Sequence, residues 1–234
     1  MPSFDIVKKY KPSDSFRVNS IINNFDLQVD KLKEHFVGCI DIENIGWQIG
    51  LIVGGSGTGK STIAKYCFPQ GYISGYTYTD KAVIDDMPKT ATVKEIEKTF
   101  TSVGFSSPPS WLKPYQVLSN GEKMRCDLAR AILDGNETIV FDEFTSVVNR
   151  EVAKTCSYAV QKCIRGGQNK RFVAVSCHDD IVEWLQPDWI YNTDEQRFFT
   201  ARGSSNAPKS SWKYTGLTTN IKNRYGMYLK SITI

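Results

Sequence analysis

The sequence predicts an α/β fold, because stretches typical of strands alternate with stretches typical of helices along the chain. Two further observations support this prediction. The apolar run at residues 51–53 leads into a glycine-rich loop, as a buried strand does before a helix. A second apolar run, residues 139–141, ends at Asp142 and Glu143. Both strands of a parallel sheet would end at the same edge, so we expect the loop and the two carboxylates to lie side by side.

Strand predictions rest on a high content of β-branched and aromatic residues. They fall on residues 16–26, 36–42, 51–53 and 171–176, and on a hairpin at residues 188–199. The hairpin would turn at Asn192-Thr193-Asp194, residue types that favour turns. We expect these strands to form a central sheet with helices on its faces.

Helix predictions rest on apolar residues repeated every three or four positions and on capping residues. They fall on a short stretch after Lys60 that ends before Pro69, and on residues 93–103, 122–133, 151–164 and 180–186. The second of these helices starts with a capping box, in which Thr92 and Glu95 bond each other's backbone N–H groups. The three prolines of residues 106–114 predict a loop without regular structure.

The composition is that of an ordinary globular protein and argues against several other classes. The chain has 234 residues, of which 41% are hydrophobic. No run approaches eighteen apolar residues, so we expect no membrane insertion, and the first residues lack the pattern of a signal peptide. Six scattered cysteines without a C-x-x-C pair are typical of a reducing compartment, so we expect a cytoplasmic protein.

Charge is distributed unevenly, which divides the chain into residues 1–195 and a basic extension, residues 196–234. The net charge is +4, but the extension has seven basic residues and no acidic one. Aromatic residues such as Trp212 lie between the basic ones, a composition that suits contact with nucleic acid. Alternatively the extension is a solvated sheet edge, with strands near residues 215–221 and 228–234 packed on the same domain. A protein partner could also dock there.

The glycine-rich loop has the pattern of a phosphate-binding loop, G-x-x-x-x-G-K-[ST]. Its residues are Gly54, Gly55, Ser56, Gly57, Thr58, Gly59, Lys60 and Ser61. Glycines let backbone N–H groups close around phosphate, and the helix that follows adds the positive end of its dipole. We expect Lys60 to contact the β- and γ-phosphate oxygens and the Ser61 hydroxyl to ligate Mg²⁺.

Asp142 and Glu143 supply acidic groups at the end of a predicted buried strand. Two acids after a strand are most often a solvated turn, but the phosphate-binding loop upstream reverses that preference. We expect Asp142 to hold Mg²⁺ through water, and Glu143 to orient and deprotonate an attacking water. The two motifs together indicate a nucleoside triphosphate and Mg²⁺ as cofactors.

A second phosphate-binding device is predicted at Leu118-Ser119-Asn120-Gly121-Glu122, where a turn opens an amphipathic helix. Taken alone, this turn is an ordinary helix N-cap with a glutamate in the first turn. One site cannot easily use two such devices on the same phosphate from the same side. The sequence therefore predicts two copies of the protein, each lending its Ser119 turn to the nucleotide of the other.

The order of these motifs resembles that of the ATP-binding cassette (ABC) superfamily. The family signature, Leu-Ser-Gly-Gly-Gln, lies just upstream of its Walker B strand, as the Ser119 turn does here. Asn120 and Glu122 replace a glycine and the glutamine of that signature. Farther along, residues 145–149 look like the family's D-loop, and His178 looks like the switch histidine that reaches the γ-phosphate.

This resemblance implies a P-loop NTPase fold of the ABC type, with a mixed central sheet, flanking helices and a shortened helical subdomain at about residues 70–135. It implies an ATPase that binds ATP and Mg²⁺ and forms a head-to-tail homodimer on ATP binding. The catalytic residues would be Lys60, Glu143 and His178, and the metal ligands Ser61 and Asp142. The nucleotide would contact the loop residues, Thr62, Ser119 and Gly121.

Two family residues have no clear counterpart in this sequence. Candidates for the Q-loop residue are Gln70, which follows Lys60 closely, Asp85-Asp86 and Gln116. Candidates for the aromatic residue that stacks on adenine are Phe16, Phe25 and Phe36.

Two functions are consistent with the resemblance. The first is a soluble ATPase whose dimer opens and closes with nucleotide, in a process linked to nucleic acid or to a partner enzyme. The second is the ATP-binding subunit of a membrane transporter whose spanning chains are separate. The segment between Lys60 and Ser119 is shorter than in most transporter cassettes, which favours the first.

Overall fold

A computed structural model describes residues 3–29, 33–166 and 169–200 of the chain. The strands in these ranges are β1 (Ser3–Lys9), β2 (Lys33–Cys39), β3 (Ile49–Val53), β4 (Tyr72–Ile73), β5 (Thr138–Phe141), β6 (Arg171–Ser176), β7 (Trp189–Asn192) and β8 (Arg197–Thr200). The helices are α1 (Phe16–Asn24), α2 (Lys60–Cys67), α3 (Val93–Ser102), α4 (Pro108–Trp111), α5 (Asn120–Leu133), α6 (Arg150–Arg165) and α7 (Ile181–Leu185). Short 3₁₀ helices lie at Val83–Asp86 and Tyr115–Val117. The strands predicted near residues 215–221 and 228–234 lie outside the described residues.

The central sheet has the strand order β4-β5-β6-β3-β7-β8. Its neighbouring strands pair in parallel, apart from β8, which pairs antiparallel with β7 through the predicted hairpin. The predicted α/β fold with a mixed central sheet is therefore confirmed. β3 leads into the glycine loop, β5 leads to Asp142, and β6 lies between them. The carboxyl ends of these three strands form one edge of the sheet, where ligands usually bind in this class of fold.

Apolar side chains cover both faces of the sheet. On β3, Leu51 and Val53 belong to a cluster with residues of α3, α5, α6 and α7, whereas Ile52 belongs to a second cluster with residues of α2 and β1. All residues of β3 are buried, which explains why the strand is a continuous apolar run in the sequence. The buried strand holds the glycine loop at a fixed point of the sheet edge.

Residues 16–26 do not form the predicted strand, because most of them belong to helix α1. The side chain of Ser15 accepts a hydrogen bond from the N–H of Val18 at 3.3 Å and so caps the first turn. The apolar residues Val18, Ile21 and Ile22 also lie at helical spacing, a pattern that the strand prediction gave too little weight. No residue of α1 is buried. The helix therefore depends on its cap more than on core packing.

Further features differ from the sequence predictions. Helix α4 interrupts the loop that was predicted to lack regular structure. Its prolines occupy the first helical positions, where a missing N–H costs no hydrogen bond. Strands β1 and β4 were not predicted. β2, expected at residues 36–42 in the central sheet, instead pairs antiparallel with β1 in a separate small sheet.

The other predicted helices are present, with ends within a few residues of those expected. The capping box of α3 is complete, with hydrogen bonds in both directions between Thr92 and Glu95. Helix α2 ends at Cys67, before Pro69. In the part of the chain that the structure describes, no helix combines the length and the apolar character needed to cross a bilayer.

Candidate functional site

The glycine loop joins the end of β3 to the start of α2. Gly57 and Gly59 have φ angles of 81° and 87°, in the left-handed region that residues with a side chain rarely adopt. Gly59 also lies against the ring of Phe36, since a Cβ built on this glycine would be 2.3 Å from Phe36 Cε1. Both the backbone conformation and the neighbouring ring therefore require glycine at position 59.

Lys60 lies against the loop and is only 8% exposed. Its Nζ donates a 2.6 Å hydrogen bond to the carbonyl oxygen of Gly55. Because Lys60 is also the first residue of α2, the ammonium group and the positive end of a helix dipole lie close together. This combination suits an anion such as phosphate.

Thr62 lies in the first turn of α2 and accepts a 2.5 Å hydrogen bond from the Nζ atom of Lys8, on β1. Sequence reasoning missed Lys8, because it lies 54 residues before Thr62 along the chain. The contact places a second ammonium group near the start of α2.

The turn of the β7–β8 hairpin contacts the glycine loop directly. Thr193 Oγ1 lies 2.6 Å from Thr58 Oγ1 and donates to the carbonyl oxygen of Val53 at 3.2 Å. Both carboxylate oxygens of Asp194 lie 3.0 Å from the N–H nitrogen of Gly55, which donates to them. The turn composition predicted the hairpin, but nothing in the sequence linked it to the loop. The hairpin thus helps to fix the shape of the loop.

Asp142 follows the last residue of β5 and points toward the start of α2. Its Oδ1 atom accepts hydrogen bonds from Ser61 Oγ at 3.1 Å and from the N–H of Glu143 at 3.0 Å. The two residues that the sequence predicted as metal ligands are therefore in direct contact. Hydroxyl and carboxylate oxygens are hard ligands of the kind that Mg²⁺ prefers, so this pair fits the ion.

Tyr72, on the edge strand β4, contacts the same carboxylate. Its hydroxyl donates a hydrogen bond to Asp142 Oδ2, so both oxygens of Asp142 are bonded. Burial, followed by the hydrogen bond to Asp142, raises the pKa of Tyr72 to about 12. The hydroxyl is therefore protonated, and can donate, at neutral pH. Sequence reasoning missed Tyr72, because it lies 70 residues before Asp142 in a strand of two residues.

Glu143 has a left-handed backbone conformation, with φ at 51°. This conformation costs a residue with a side chain about 1–2 kcal/mol, and such strain is concentrated at functional positions. The side chain is exposed and lines a cavity of about 300 Å³ together with Asp142, Asn120 and Lys123. An exposed carboxylate beside the predicted metal ligand is well placed to reach a water molecule.

His178 follows the carboxyl end of β6 and is half-buried. Its backbone N–H donates a 3.1 Å hydrogen bond to the hydroxyl of Ser176, the last residue of β6. Because β6 lies between β3 and β5, His178 lies at the same sheet edge as the glycine loop and Asp142.

Ser119 is the N-cap of α5, and its capping box with Glu122 is complete. Ser119 Oγ donates to Glu122 Oε2 at 2.8 Å, and the N–H of Ser119 donates to the same oxygen at 2.9 Å. The other oxygen of Glu122 accepts a 2.6 Å hydrogen bond from Ser110, a buried residue of α4. The bond from Ser110 and those from Ser119 lower the pKa of Glu122 to about 2.

None of the hydrogen bonds described for Ser119 reaches the glycine loop of the same chain. Gly121 packs beside Val152 of α6, where an added Cβ would lie 3.2 Å from Val152 Cγ1. Asn149, in the predicted D-loop, caps α6 by accepting the N–H of Val152 at 2.9 Å. The structure thus joins Ser61 to Asp142 but leaves Ser119 and Gly121 bonded within their own part of the chain.

The structure separates the three aromatic candidates. Phe16 and Phe25 are 88% and 69% exposed, whereas Phe36 is half-buried against Gly59. It does not separate the Q-loop candidates in the same way. Gln116 donates to the carbonyl oxygen of Thr79 at 3.5 Å, and Asp86 accepts the N–H of the same residue at 2.9 Å.

Comparison with known proteins bears on the fold. No protein-family model matches the chain, and no curated protein matches its sequence. Solved structures do match. The ATP-binding cassette MJ0796, in a dimeric post-hydrolysis state bound to ADP and Pi, is 13% identical with a TM-score of 0.60, over 86% of this chain and 99% of that one. The protein cbiO1 from Clostridium perfringens, part of the ABC transporter complex cbiONQ, is 16% identical with a TM-score of 0.50, over 68% and 76%.

A bacterial Atm1-family ABC exporter with ATP bound is 15% identical with a TM-score of 0.52, over 70% of this chain. The chain spans only 34% of the exporter's length. The fold is that of an ATP-binding cassette. Between α2 and α5 the chain has the helix α3 and the four-residue α4, where the sequence predicted a shortened helical subdomain.

Proposed function

We propose that this cassette binds ATP with Mg²⁺ and hydrolyses it. The contact between Ser61 and Asp142, next to the buried ammonium group of Lys60, carries the proposal. It joins the end of a phosphate-binding loop to an acidic turn. Enzymes that cleave a triphosphate work mainly by positioning the phosphates and neutralising their charge. A phosphate-binding loop beside an acidic metal-binding turn can do both.

Each residue of the site has a specific part in this reaction. The backbone N–H groups of the glycine loop and Lys60 would hold the β- and γ-phosphates. Mg²⁺, held by Ser61 and Asp142, would neutralise charge that develops on those oxygens. Glu143 would orient the attacking water and accept its proton, an effect typically worth about 10²- to 10⁴-fold in rate. His178 would contact the γ-phosphate from the end of β6.

The adenine ring would stack on Phe36. This residue lies against Gly59 of the loop and keeps part of its surface exposed. A flat ring gives a base a large contact area without demanding a particular pattern of hydrogen bonds.

We propose further that hydrolysis requires a head-to-tail homodimer. Ser119 and Asn120 are exposed, and the hydrogen bonds described for Ser119 stay at the start of its own helix, so the turn presents its surface to a second chain. Val117, before the Ser119 turn, and Val147, in the predicted D-loop, are 66% and 64% exposed. Apolar side chains beside both motifs suit burial between two chains.

A Glu143→Gln substitution tests the proposal. This variant should still bind ATP but hydrolyse it slowly, because the carboxylate that accepts the proton is gone. It should therefore accumulate as an ATP-dependent dimer, visible by gel filtration. Glu137→Gln, at an exposed residue just before β5, is the control and should turn over ATP like the wild type. A Glu143→Gln variant that binds ATP and stays monomeric would contradict the dimer.

The proposal places the protein in the cytoplasm, where its six free cysteines would stay reduced. The process that uses ATP would involve nucleic acid or a partner enzyme, because the extension at residues 196–234 has seven basic residues and no acidic one. Stimulation of ATP hydrolysis by DNA or RNA, lost when salt is added, would support a nucleic-acid contact. Hydrolysis that is indifferent to both would count against it.

The alternative is the ATP-binding subunit of a membrane transporter. Its support is that two of the structural neighbours, cbiO1 and the Atm1-family exporter, are transporter components. Under this alternative the cassette would co-purify with an integral membrane protein from its native source. Purification without one would favour the soluble ATPase.

A further inference from the structure

Tyr72 contacts the candidate site but belongs to none of the sequence motifs. Its hydroxyl donates to Asp142 Oδ2, while Ser61 Oγ and the N–H of Glu143 donate to Asp142 Oδ1. Both oxygens of the carboxylate are thereby fixed from three directions. Without the Tyr72 contact, Oδ2 would lose the partner that sets the rotation of the carboxylate plane.

The backbone of β4 brings Tyr72 to this position. Tyr72 pairs with Val140, two residues before Asp142, and Ile73 pairs with Phe141. The N–H of Asp142 also donates to the carbonyl oxygen of Ile73 at 3.4 Å. The short edge strand β4 thus contacts Asp142 twice, through the hydroxyl of Tyr72 and through the carbonyl oxygen of Ile73.

Outer partners of this kind usually affect how a carboxylate binds a metal. Residues that hydrogen-bond a metal ligand orient it, and their removal typically lowers metal affinity about 10- to 100-fold. Mg²⁺ is especially sensitive, because it demands nearly ideal octahedral geometry. A carboxylate that reaches Mg²⁺ through water must hold its oxygens still to keep that water in place.

We propose that Tyr72 is a positioning residue for the Mg²⁺ site, which fixes Asp142 in the orientation that Mg²⁺ binding requires. The proposal rests on the proposed function, since it assigns Asp142 the role of a magnesium ligand. It gives the edge strand β4 a part in metal binding in addition to its part in the sheet.

The competing explanation is that Tyr72 only ties β4 to β5. In that case its loss would weaken the fold at this edge and leave metal affinity unchanged. Tyr72→Phe separates the two, because it removes the hydroxyl and keeps the ring, including its place 6.0 Å from the Nζ atom of Lys65. Tyr66→Phe, at an exposed tyrosine of α2, is the matched control.

The test measures metal binding separately from hydrolysis. Binding of a fluorescent ATP analogue is titrated in EDTA and then in increasing Mg²⁺, and Mn²⁺ bound to the complex is followed by electron paramagnetic resonance. Tyr72→Phe should bind the analogue in EDTA like the wild type. Its half-saturating Mg²⁺ and its Mn²⁺ dissociation constant should rise about 10-fold or more. Tyr66→Phe should match the wild type in every titration.

The outcomes distinguish this inference from the proposed function. Unchanged Mg²⁺ and Mn²⁺ affinities in Tyr72→Phe would overturn the positioning role and leave the ATPase proposal standing. A wild-type chain that binds no nucleotide, or binds it without regard to Mg²⁺, would overturn both. A loss of analogue binding in EDTA would show that Tyr72 acts on the fold and would also overturn the positioning role. Thermal unfolding of each variant identifies that case.

Discussion

Two constraints meet at Gly59. Its backbone is left-handed, and the space that a Cβ would need is occupied by the ring of Phe36. Gly57 shares the first constraint without the second, because nothing lies within 4 Å of its Cβ position. The two glycines of one loop therefore allow backbone strain to be separated from steric overlap.

Gly57→Ala should lower the free energy of unfolding by about 1–2 kcal/mol, the cost of a left-handed alanine. Gly59→Ala should cost about 3 kcal/mol, because the overlap with Phe36 adds to the same strain. Urea unfolding without nucleotide measures both. Replacing Phe36 by leucine in the Gly59→Ala chain should make the combined cost smaller than the sum of the single costs. Equal costs for the two glycines would show that Phe36 yields without penalty.

Lys60→Ala should abolish measurable ATP binding, because the ammonium group is the main positive charge that the loop presents to the phosphates. Isothermal titration calorimetry with Mg·ATP measures this. Lys94→Ala, at an exposed lysine of α3, should bind like the wild type. Retained binding by Lys60→Ala would mean that the backbone N–H groups alone hold the nucleotide.

Single residues also show how far the sequence could predict the site. Lys60, Ser61 and Asp142 belong to local patterns whose chemistry is recognisable without a structure, and the structure brings them together. Tyr72 and Asp194 belong to no such pattern. Their contacts with Asp142 and with Gly55 depend on which strands become neighbours, and pairing between distant segments leaves little local trace.

At the scale of elements, the N-terminus of α5 depends on a contact with α4. Ser110 donates to Glu122, which stands in the predicted signature where the ABC family has glutamine. A carboxylate at this position carries a charge that glutamine lacks. The bonds from Ser110 and Ser119 occupy both of its oxygens and keep it at the start of α5, where the helix dipole favours a negative charge.

This contact should make stability depend on pH in acid. The pKa of Glu122 is lowered from 4.5 to about 2 in the folded protein. Its contribution to stability is therefore fully present above its unfolded pKa, and it is lost as the pH falls from 4.5 toward 2. Ser110→Ala removes the largest cause of the shift, so its stability should depend less steeply on pH between about pH 5 and pH 3. Urea unfolding across this range measures the difference. Ser106→Ala, at an exposed serine nearby, should follow the wild type, and parallel curves for Ser110→Ala would refute the account.

Elements were predicted well where packing and local pattern agree, and less well where they differ. β3 is apolar throughout because it is buried, so its sequence indicates its structure. α1 contains β-branched residues but no buried ones, so strand propensity pointed the wrong way and the Ser15 cap decided the outcome. In α4, prolines that usually break helices stand where they are tolerated. The sequence alone did not show which of these cases applied.

At the scale of the whole molecule, the proposed reaction needs two chains, and mixing variants tests this directly. Lys60→Ala and Ser119→Arg chains should each be inactive alone. A mixed dimer would have one complete site, formed by the glycine loop of the Ser119→Arg chain and the Ser119 turn of the Lys60→Ala chain. Turnover measured by phosphate release should therefore return when the two are combined. Mixtures as inactive as their components, despite proven mixed dimers, would contradict the shared site.

The contacts between the β7–β8 hairpin and the glycine loop link the motions of the two segments. The carboxylate of Asp194 accepts the N–H of Gly55, and Thr193 Oγ1 lies 2.6 Å from Thr58 Oγ1. The hairpin turn and the loop are therefore coupled through the side chains of Thr193 and Asp194. A ligand that moves the loop would also move the hairpin turn, so hydrogen exchange at residues 192–194 should report on what binds to the loop.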